Sequence, residues 1–546
     1  MEGTTEGGVG PYDVIVVGAG SSGCALAARL SEDPNRSVLL VEAGPRFFGI
    51  DSYPPELRYG SLYGASAPGH PNNWNFVSIL RPGVQQPLSR GRVVGGSSAL
   101  NGTVFTWGLA EDFDGWAKEG NKAWSYDAVL PYFRRLERDA DSDGVHHGKN
   151  GPVPVRRVDR ADWSPVSTAF VAACEEAGFP RDADMNAAGS IGVGSFPLNN
   201  VDGLRINTAV AYLDPLQNRR NLHVLPDTFV RKVIVVRGQA VGIVAERSGK
   251  TAEIHAGEVV LSAGAIKSPH LLMLSGIGPA DALRAFDIPV LQDSPHVGRN
   301  FTDHCTVHFP LRVRGNPRVS VDPTKRALSE VGLHYTTLGS ADHSDMLLMQ
   351  TVVPLNAAVL QTATLAQRLR ALALGARQLS WAKLRDQLLT HWDLSIAVIL
   401  MRGHSRGEVR LASGDPHTAP GLHYNYLEDA EDLRRLREGM RLCGRLVSSA
   451  PFQDIGARST WPGQNVLDSD ALLDDHLRVH VGTSVHMSST CRMGTSIENA
   501  VVDEHCRVHG VANLRVVDTS IMPTVVRRCP NATAVMMGER AAEFFA

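Results

Sequence analysis

Apolar residues fall in short β-branched blocks along this chain. The run Asp13-Val14-Ile15-Val16-Val17 leads into Gly18-Ala19-Gly20-Ser21-Ser22-Gly23. An Ala/Leu-rich stretch follows, then a second block, Val38-Leu39-Leu40-Val41-Glu42-Ala43-Gly44. Unbroken apolar runs of this length, closed by glycine, predict buried parallel strands, and the Ala/Leu stretch predicts the helix that joins them. Strand-like alternation returns between 221 and 262, at His223-Val224-Leu225, Lys232-Val233-Ile234-Val235-Val236 and Glu258-Val259-Val260-Leu261-Ser262, the last ending in Ala263-Gly264. Leu514-Arg515-Val516-Val517-Asp518 predicts a further strand, and a helix is expected from about 531 to 545. Residues 45 to 90 show neither period and predict an extended loop. Residues 357 to 400, rich in Ala and Leu with Arg and Gln at helical spacing, predict one or two amphipathic helices. They pack on the second domain or form a lid or docking face, which leaves peripheral membrane contact open. No run of 18 uncharged apolar residues occurs there, so a transmembrane helix is not expected.

A chain of 546 residues needs two domains with large cores. The strands of one sheet are scattered through the sequence, so the expected fold is α/β, in an α+β two-domain arrangement. Residues 1–154, 211–305 and 476–546 build the first domain. Residues 155–210 and 306–475, with the helical insertion, build the second.

The opening turn carries the first chemistry. In GxGxxG between strand and helix, Gly18 permits the tight turn, Gly20 lets the backbone approach a pyrophosphate, and Gly23 lets helix and strand pack closely. The pyrophosphate then sits on the helix N-terminus. Glu42 lies 19 residues after Gly23, where a ribose-binding acid is expected. The motif does not separate NAD from FAD. A second cluster of small residues, Gly91-Arg92-Val93-Val94-Gly95-Gly96-Ser97-Ser98-Ala99-Leu100-Asn101, is a place where backbone can approach a flat ligand.

Charge narrows the class. Lys plus Arg number 54 against 57 for Asp plus Glu, a net of −3, which gives no electrostatic case for nucleic acid. The seven cysteines are scattered without a CxxC pair, arguing against a disulfide framework or a zinc site, so no metal is expected. With an acidic N-terminus lacking signal-peptide regions, this favours a cytoplasmic location.

The spacing of these segments resembles the glucose-methanol-choline (GMC) flavoprotein oxidoreductases along nearly the whole chain. Gly91 to Asn101, continuing to Gly108 and Asp114, fits the first family signature. Gly264-Ala265-Ile266-Lys267-Ser268-Pro269-His270-Leu271-Leu272-Met273-Leu274-Ser275-Gly276-Ile277-Gly278 fits the second. Val297-Gly298-Arg299-Asn300-Phe301-Thr302-Asp303-His304, Ser405-Arg406-Gly407 and Asp518-Thr519-Ser520-Ile521-Met522-Pro523 are further landmarks. The resemblance implies a Rossmann-type FAD-binding domain beside a substrate domain of sheet plus helices. It implies FAD held by Gly18, Gly20, Ser21, Ser22, Gly23, Glu42, Ala43, Arg92, Gly95, Gly96, Ser97, Asn101, Gly102, Val104, Val230, Ala263 and Asp518. Some relatives attach FAD through a histidine immediately before the loop asparagine. Leu100 stands there, so noncovalent FAD is expected.

The resemblance also implies an alcohol dehydrogenase or oxidase acting on CH–OH donors, and histidine is the natural base for the hydroxyl proton. Val485-His486-Met487-Ser488-Ser489-Thr490-Cys491-Arg492-Met493-Gly494 resembles the family's His-x-x-Gly-Thr-x-x-Met, with Ser489 in place of glycine. His486 is therefore the expected catalytic base. Relatives place a second hydrogen-bonding residue opposite, often in Asn-Pro-Asn-x-Thr. Here Arg527-Arg528-Cys529-Pro530-Asn531-Ala532-Thr533 puts Cys529 in the first position, with Asn531 retained as a further candidate catalytic residue. Cys529 reads as a tolerated small residue, as an adaptation to an unusual substrate or acceptor, or as a thiol activated by Arg527 and Arg528. The arginines are also candidates for an anionic substrate head. The segments from Arg135 to Asp141 and from His147 to Val155 look most like bacterial enzymes for primary alcohols, including aryl and furanic ones. A small-molecule alcohol is the implied substrate, and oxygen, a quinone or a redox protein the acceptor. No oligomeric state is implied. The same fold also hosts hydroxynitrile lyases that use FAD only structurally, which stands as the alternative activity.

Overall fold

The computed structural model describes residues 11–142, 146–313, 324, 326–353, 369, 373–374, 381, 394–459 and 461–545. Tyr12–Val17, Val38–Val41 and Leu222–Leu225 form parallel neighbours, and on the other side of Tyr12–Val17 lie the C-terminal half of Lys250–Leu261 and then Leu514–Val516. In chain order this is 3-2-1-4-5, the order of a dinucleotide-binding sheet, whose ligand crevice opens at the carboxyl ends of its strands. All four residues of Val38–Val41 are buried, as a central parallel strand requires. The N-terminal half of Lys250–Leu261 leaves this layer and pairs antiparallel with Gln239–Arg247, which pairs in turn with Phe229–Val236.

A second seven-stranded sheet is antiparallel. Its main path runs from Arg458–Ser459 through Cys305–Arg312, Leu394–Leu400, Met346–Gln350 and Val331–Tyr335 to Gly192–Ser195. Helix Ala430–Val447 packs on it.

Two expectations are corrected. Within 45–90, Phe76–Arg81 and Val84–Leu88 form a hairpin, with Phe76 opposite Leu88. Pro87 hides it from the pattern, but Val84–Leu88 is an edge strand, where a residue without an N–H costs no ladder bond. Within 357–400, residues 394–400 are a strand, not helix. All seven are buried between two neighbours, and a fully apolar run has no period to tell strand from helix. The rest of that stretch falls almost wholly outside the described residues.

The two ends of the chain meet behind the first sheet. Helix Asn531–Ala541 lies against helix Ser21–Leu30, where the Ser22 hydroxyl donates to the Ala534 carbonyl at 2.6 Å. Arg29 pairs with buried Glu539 through two nitrogens at 2.7 and 2.9 Å, a bidentate geometry that also fixes orientation.

Candidate active site

A continuous cleft of about 510 Å³ runs from the carboxyl ends of the first sheet to the face of the second. At one end Ser21–Leu30 starts on Gly20 with no capping side chain and no acid in its first turn, so its free N–H groups and positive dipole end stay available to an anion. A Cβ on Gly23 would stand 1.9 Å from the Gly18 carbonyl oxygen, so only glycine lets the helix start there. Gly96 has φ +53°, and a Cβ on it would stand 2.6 Å from the Gly20 Cα. Turn and loop thus approach each other through bare backbone, a cradle shaped for an extended, flat ligand.

Glu42 is buried, accepting from the Ala19 and Gly44 N–H groups at 3.1 and 3.0 Å, and burial pushes its carboxyl up to about 7. Asp518 accepts from Gly264 N–H, Ser268 Oγ and Ser520 N–H at 2.8, 2.6 and 2.8 Å, tying the second signature helix to the crevice. The Ser21 hydroxyl donates to Asn531 Oδ1 at 2.9 Å, leaving the buried Asn531 Nδ2 without a protein partner. A buried amide with two spare donors calls for an acceptor from a ligand. These features fit a dinucleotide carrying a flat ring system.

Of the residues expected from sequence, Gly18, Gly20, Ser21, Ser22, Glu42, Ala43, Gly96, Ser97, Asn101, Gly102, Val104, Val230, Ala263, Asp518, His486, Cys529 and Asn531 all line this cleft. Gly23, Arg92 and Gly95 stand behind its wall. Arg92 lies over the Trp74 ring at 5.6 Å, and Gly95 N–H donates to Ala19 O at 2.7 Å. Leu100 lines the cleft beside Asn101 with no group able to bond to a ring.

At the far end His486 is fixed from both sides. Its backbone N–H donates to Asp303 Oδ1 at 2.8 Å, and its Nδ1 lies 2.8 Å from His304 Nδ1, the rings near perpendicular at 84°. His304 Nε2 lies 3.0 Å from the Val526 carbonyl oxygen, which can only accept. His304 must therefore carry its proton on Nε2 and accept at Nδ1. His486 then donates from Nδ1, which leaves its Nε2 with a bare lone pair. Burial holds His486 well below the usual histidine range, reinforced by His304 and by the Arg90 guanidinium, and burial lowers His304 to about 3. The pair thus stays neutral and acceptor-ready.

Ser489 sits at φ +74°, where glycine is the easy residue. Its hydroxyl lies 2.7 Å from Thr302 Oγ1 and donates to Ser488 Oγ at 3.3 Å, bonds that help hold the position. Cys529 also lines the cleft, but burial pushes its thiol up to about 11, outweighing Arg528, so it is not an activated thiolate. Nor do the two arginines face the cleft. Arg527 Nε pairs with Asp112 at 2.8 Å, and the buried Arg528 donates to Ser344, Arg527 O and Ser190 O.

Four residues of the site were not legible as functional. Arg90 lines the cleft and donates to the Val485 carbonyl beside His486. Asp303 and His304 were visible only as a landmark motif. Arg205 is fully buried and donates to the carbonyls of Asn101, Glu56, Leu57, Ala99 and Leu62, clamping the loop that carries Gly96 to Gly102. A cation without a counter-ion survives burial only where fixed carbonyls replace its water. No spacing in the sequence signals that.

Comparison with known proteins fits this geometry. Residues 12–306 and 403–538 match the N- and C-terminal parts of the GMC oxidoreductase family. A GMC-type oxidoreductase of Rhodococcus erythropolis is 37% identical over 97% of both chains. The mitochondrial choline dehydrogenase of Mus musculus is 35% identical over 97% of this chain and 89% of its own. The crystal structure of pyridoxine 4-oxidase from Mesorbium loti superposes with a TM-score of 0.84 at 29% identity, covering 97% of this chain and 98% of its own.

Proposed function

The chain belongs to the GMC oxidoreductases, enzymes that bind FAD, and from that premise we propose that it is an FAD-dependent alcohol oxidoreductase with His486 as its base. The observation that carries this reading is the His304–His486 contact, which leaves a neutral imidazole with a free lone pair in the cleft. Gly18, Gly20 and the start of helix Ser21–Leu30 hold the pyrophosphate, Glu42 the ribose, and the Gly96 to Gly102 loop the ring system. Leu100 makes the attachment noncovalent. FAD held by these residues would supply the acceptor for the carbinol hydride. His486 Nε2 takes the hydroxyl proton, so the alcohol leaves as aldehyde or ketone. Asp303 and His304 keep the His486 ring in position and in the required tautomer. Arg90 adds positive potential beside the developing alkoxide. Residues 155–210 and 306–475 supply the substrate side.

Anaerobic addition of alcohol to the yellow holoprotein is expected to bleach its flavin absorbance, and admitting air then shows whether oxygen restores it. Intact flavin with every alcohol, together with aldehyde release from a cyanohydrin, would instead establish a lyase. Cys529 offers the alkoxide little, since a thiol is a weak donor. Cys529→Asn is expected to raise the rate of flavin reduction roughly tenfold, the worth of one added hydrogen bond to a charged group. A fall in rate would mean that the thiol itself serves the substrate.

A further inference from the structure

Resting on the alcohol oxidoreductase reading, we infer that the substrate is an uncharged alcohol with an apolar body, and that the cleft rejects quaternary-ammonium alcohols such as choline. The second sheet forms the substrate floor. Its strand Cys305–Arg312 follows directly on His304, so alternation sets Thr306 and His308 on the same face as that histidine. Across the ladder Thr306 pairs with Ile399, and His308 with Ala397, which pairs in turn with Met349. All five line the cleft, together with Leu328, Ser329 and Val104. The floor leading away from the base is thus mostly aliphatic. Ser329 adds a buried hydroxyl without a protein partner, a contact for an uncharged polar group.

A cation would need a carboxylate or an aromatic cage there. Among the described residues lining the cleft, only Glu42 and Asp518 bear carboxylates, and backbone and hydroxyl donors already hold both at the nucleotide end. Asp303 is not part of the wall. Its oxygens are taken by Thr483 Oγ1 at 2.5 Å, His486 N–H at 2.8 Å and His304 N–H at 2.6 Å. Of the aromatic rings among the described residues lining the cleft, Trp74 and Phe229 already hold the Lys267 ammonium, 5.1 and 5.4 Å from the ring centroids, Phe76 stacks on Trp74, and Tyr63 stands singly beside Leu328, one ring where a cage needs several. Beside the base stands Arg90, whose charge repels a second cation. A buried cation with no counter-ion forfeits its hydration without repayment. An anion finds no pair on the floor itself, because Arg527 and Arg528 point away from the cleft, Arg90 is turned to Val485 O beside the base, and Lys267 lies in the corner of Trp74 and Phe229.

The test is a matched series on the anaerobic holoenzyme: benzyl alcohol, 4-(trimethylammonio)benzyl alcohol and 4-(hydroxymethyl)benzoate, with choline alongside. Flavin absorbance is followed by stopped flow. The second-order constant for flavin reduction by benzyl alcohol is expected to exceed those of the charged analogues and of choline by at least ~100-fold. Met349→Glu, which sets a carboxylate on the floor, should narrow the gap for the cationic analogue. If choline or the cationic analogue reduces flavin as fast as benzyl alcohol, the substrate inference falls and the alcohol oxidoreductase reading stands. If no alcohol reduces flavin, that reading falls and takes the inference with it.

Discussion

His486→Ala holoenzyme, mixed anaerobically with an alcohol that bleaches the parent, is expected to reduce its flavin at least ~100-fold more slowly, the usual cost of losing a general base. The loss should appear in the limiting rate more than in the apparent substrate affinity. What disappears is the acceptor for the hydroxyl proton, whereas the aliphatic floor from Thr306 to Met349 is untouched. The backbone bond from residue 486 to Asp303 also survives, so loop and flavin should stay in place and the oxidised spectrum should be retained. A variant that bleached as fast as the parent would remove His486 from the role. The pH dependence carries a sign of its own. Because the folded protein holds His486 well below its ordinary pKa, the ring is neutral throughout the physiological range. Protonation of the ring should therefore cost the parent no rate between about pH 8 and pH 6, where an unperturbed histidine would lose half its activity near 6.5, and a fall that begins near pH 6 belongs to Asp303, which burial raises to about 6.

The second large effect is expected at Gly96. Gly96→Val puts a branched side chain at φ +53°, with its Cβ 2.6 Å from the Gly20 Cα, where the obstacle is backbone and cannot swing aside. Either the turn after the first strand or the loop before Asn101 must withdraw, and the cradle opens. Purified variant should be colourless, with under a tenth of the parent's flavin per chain. The parent should release its flavin into the supernatant on acid precipitation, because Leu100 cannot bond to the ring. Yellow Gly96→Val protein would mean that the Gly20 and Gly96 backbones do not flank the cofactor. Flavin pelleting with the parent would contradict noncovalent attachment.

What could be read from the sequence divides by whether the cause is local. The strand from Tyr12, the glycine turn and the helix from Ser21 were legible because each needs a residue type at a fixed offset, and the structure places them accordingly. His486 stood out among 20 histidines through its neighbours, not its own chemistry. Its tautomer was beyond reach, since it depends on a carbonyl 222 residues from His304. Leu394–Leu400 carries no strand signal in the sequence, because a strand buried on both faces has no alternation left to show. Arg527 and Arg528 read as substrate contacts in the sequence because a charge pair there says nothing of direction. The fold turns Arg527 onto Asp112 and Arg528 onto backbone carbonyls.

The meeting of the first and last helices sets a schedule for the cell. Ser21 and Asn531 are 510 residues apart, yet one hydrogen bond joins them at the glycine-turn end of the cleft. At a synthesis rate of about 5–20 residues per second, the glycine turn emerges roughly 25 to 100 s before its partner helix exists. For that interval the first sheet lacks its last strand, Leu514–Val516, and the opening helix has bare flank where Ala534 and Glu539 will dock. Cofactor capture is therefore expected to wait until residues 514–541 have been made. Until then the opening helix presents an apolar flank that chaperones must cover, and a chain cut before Leu514 is expected to stay colourless.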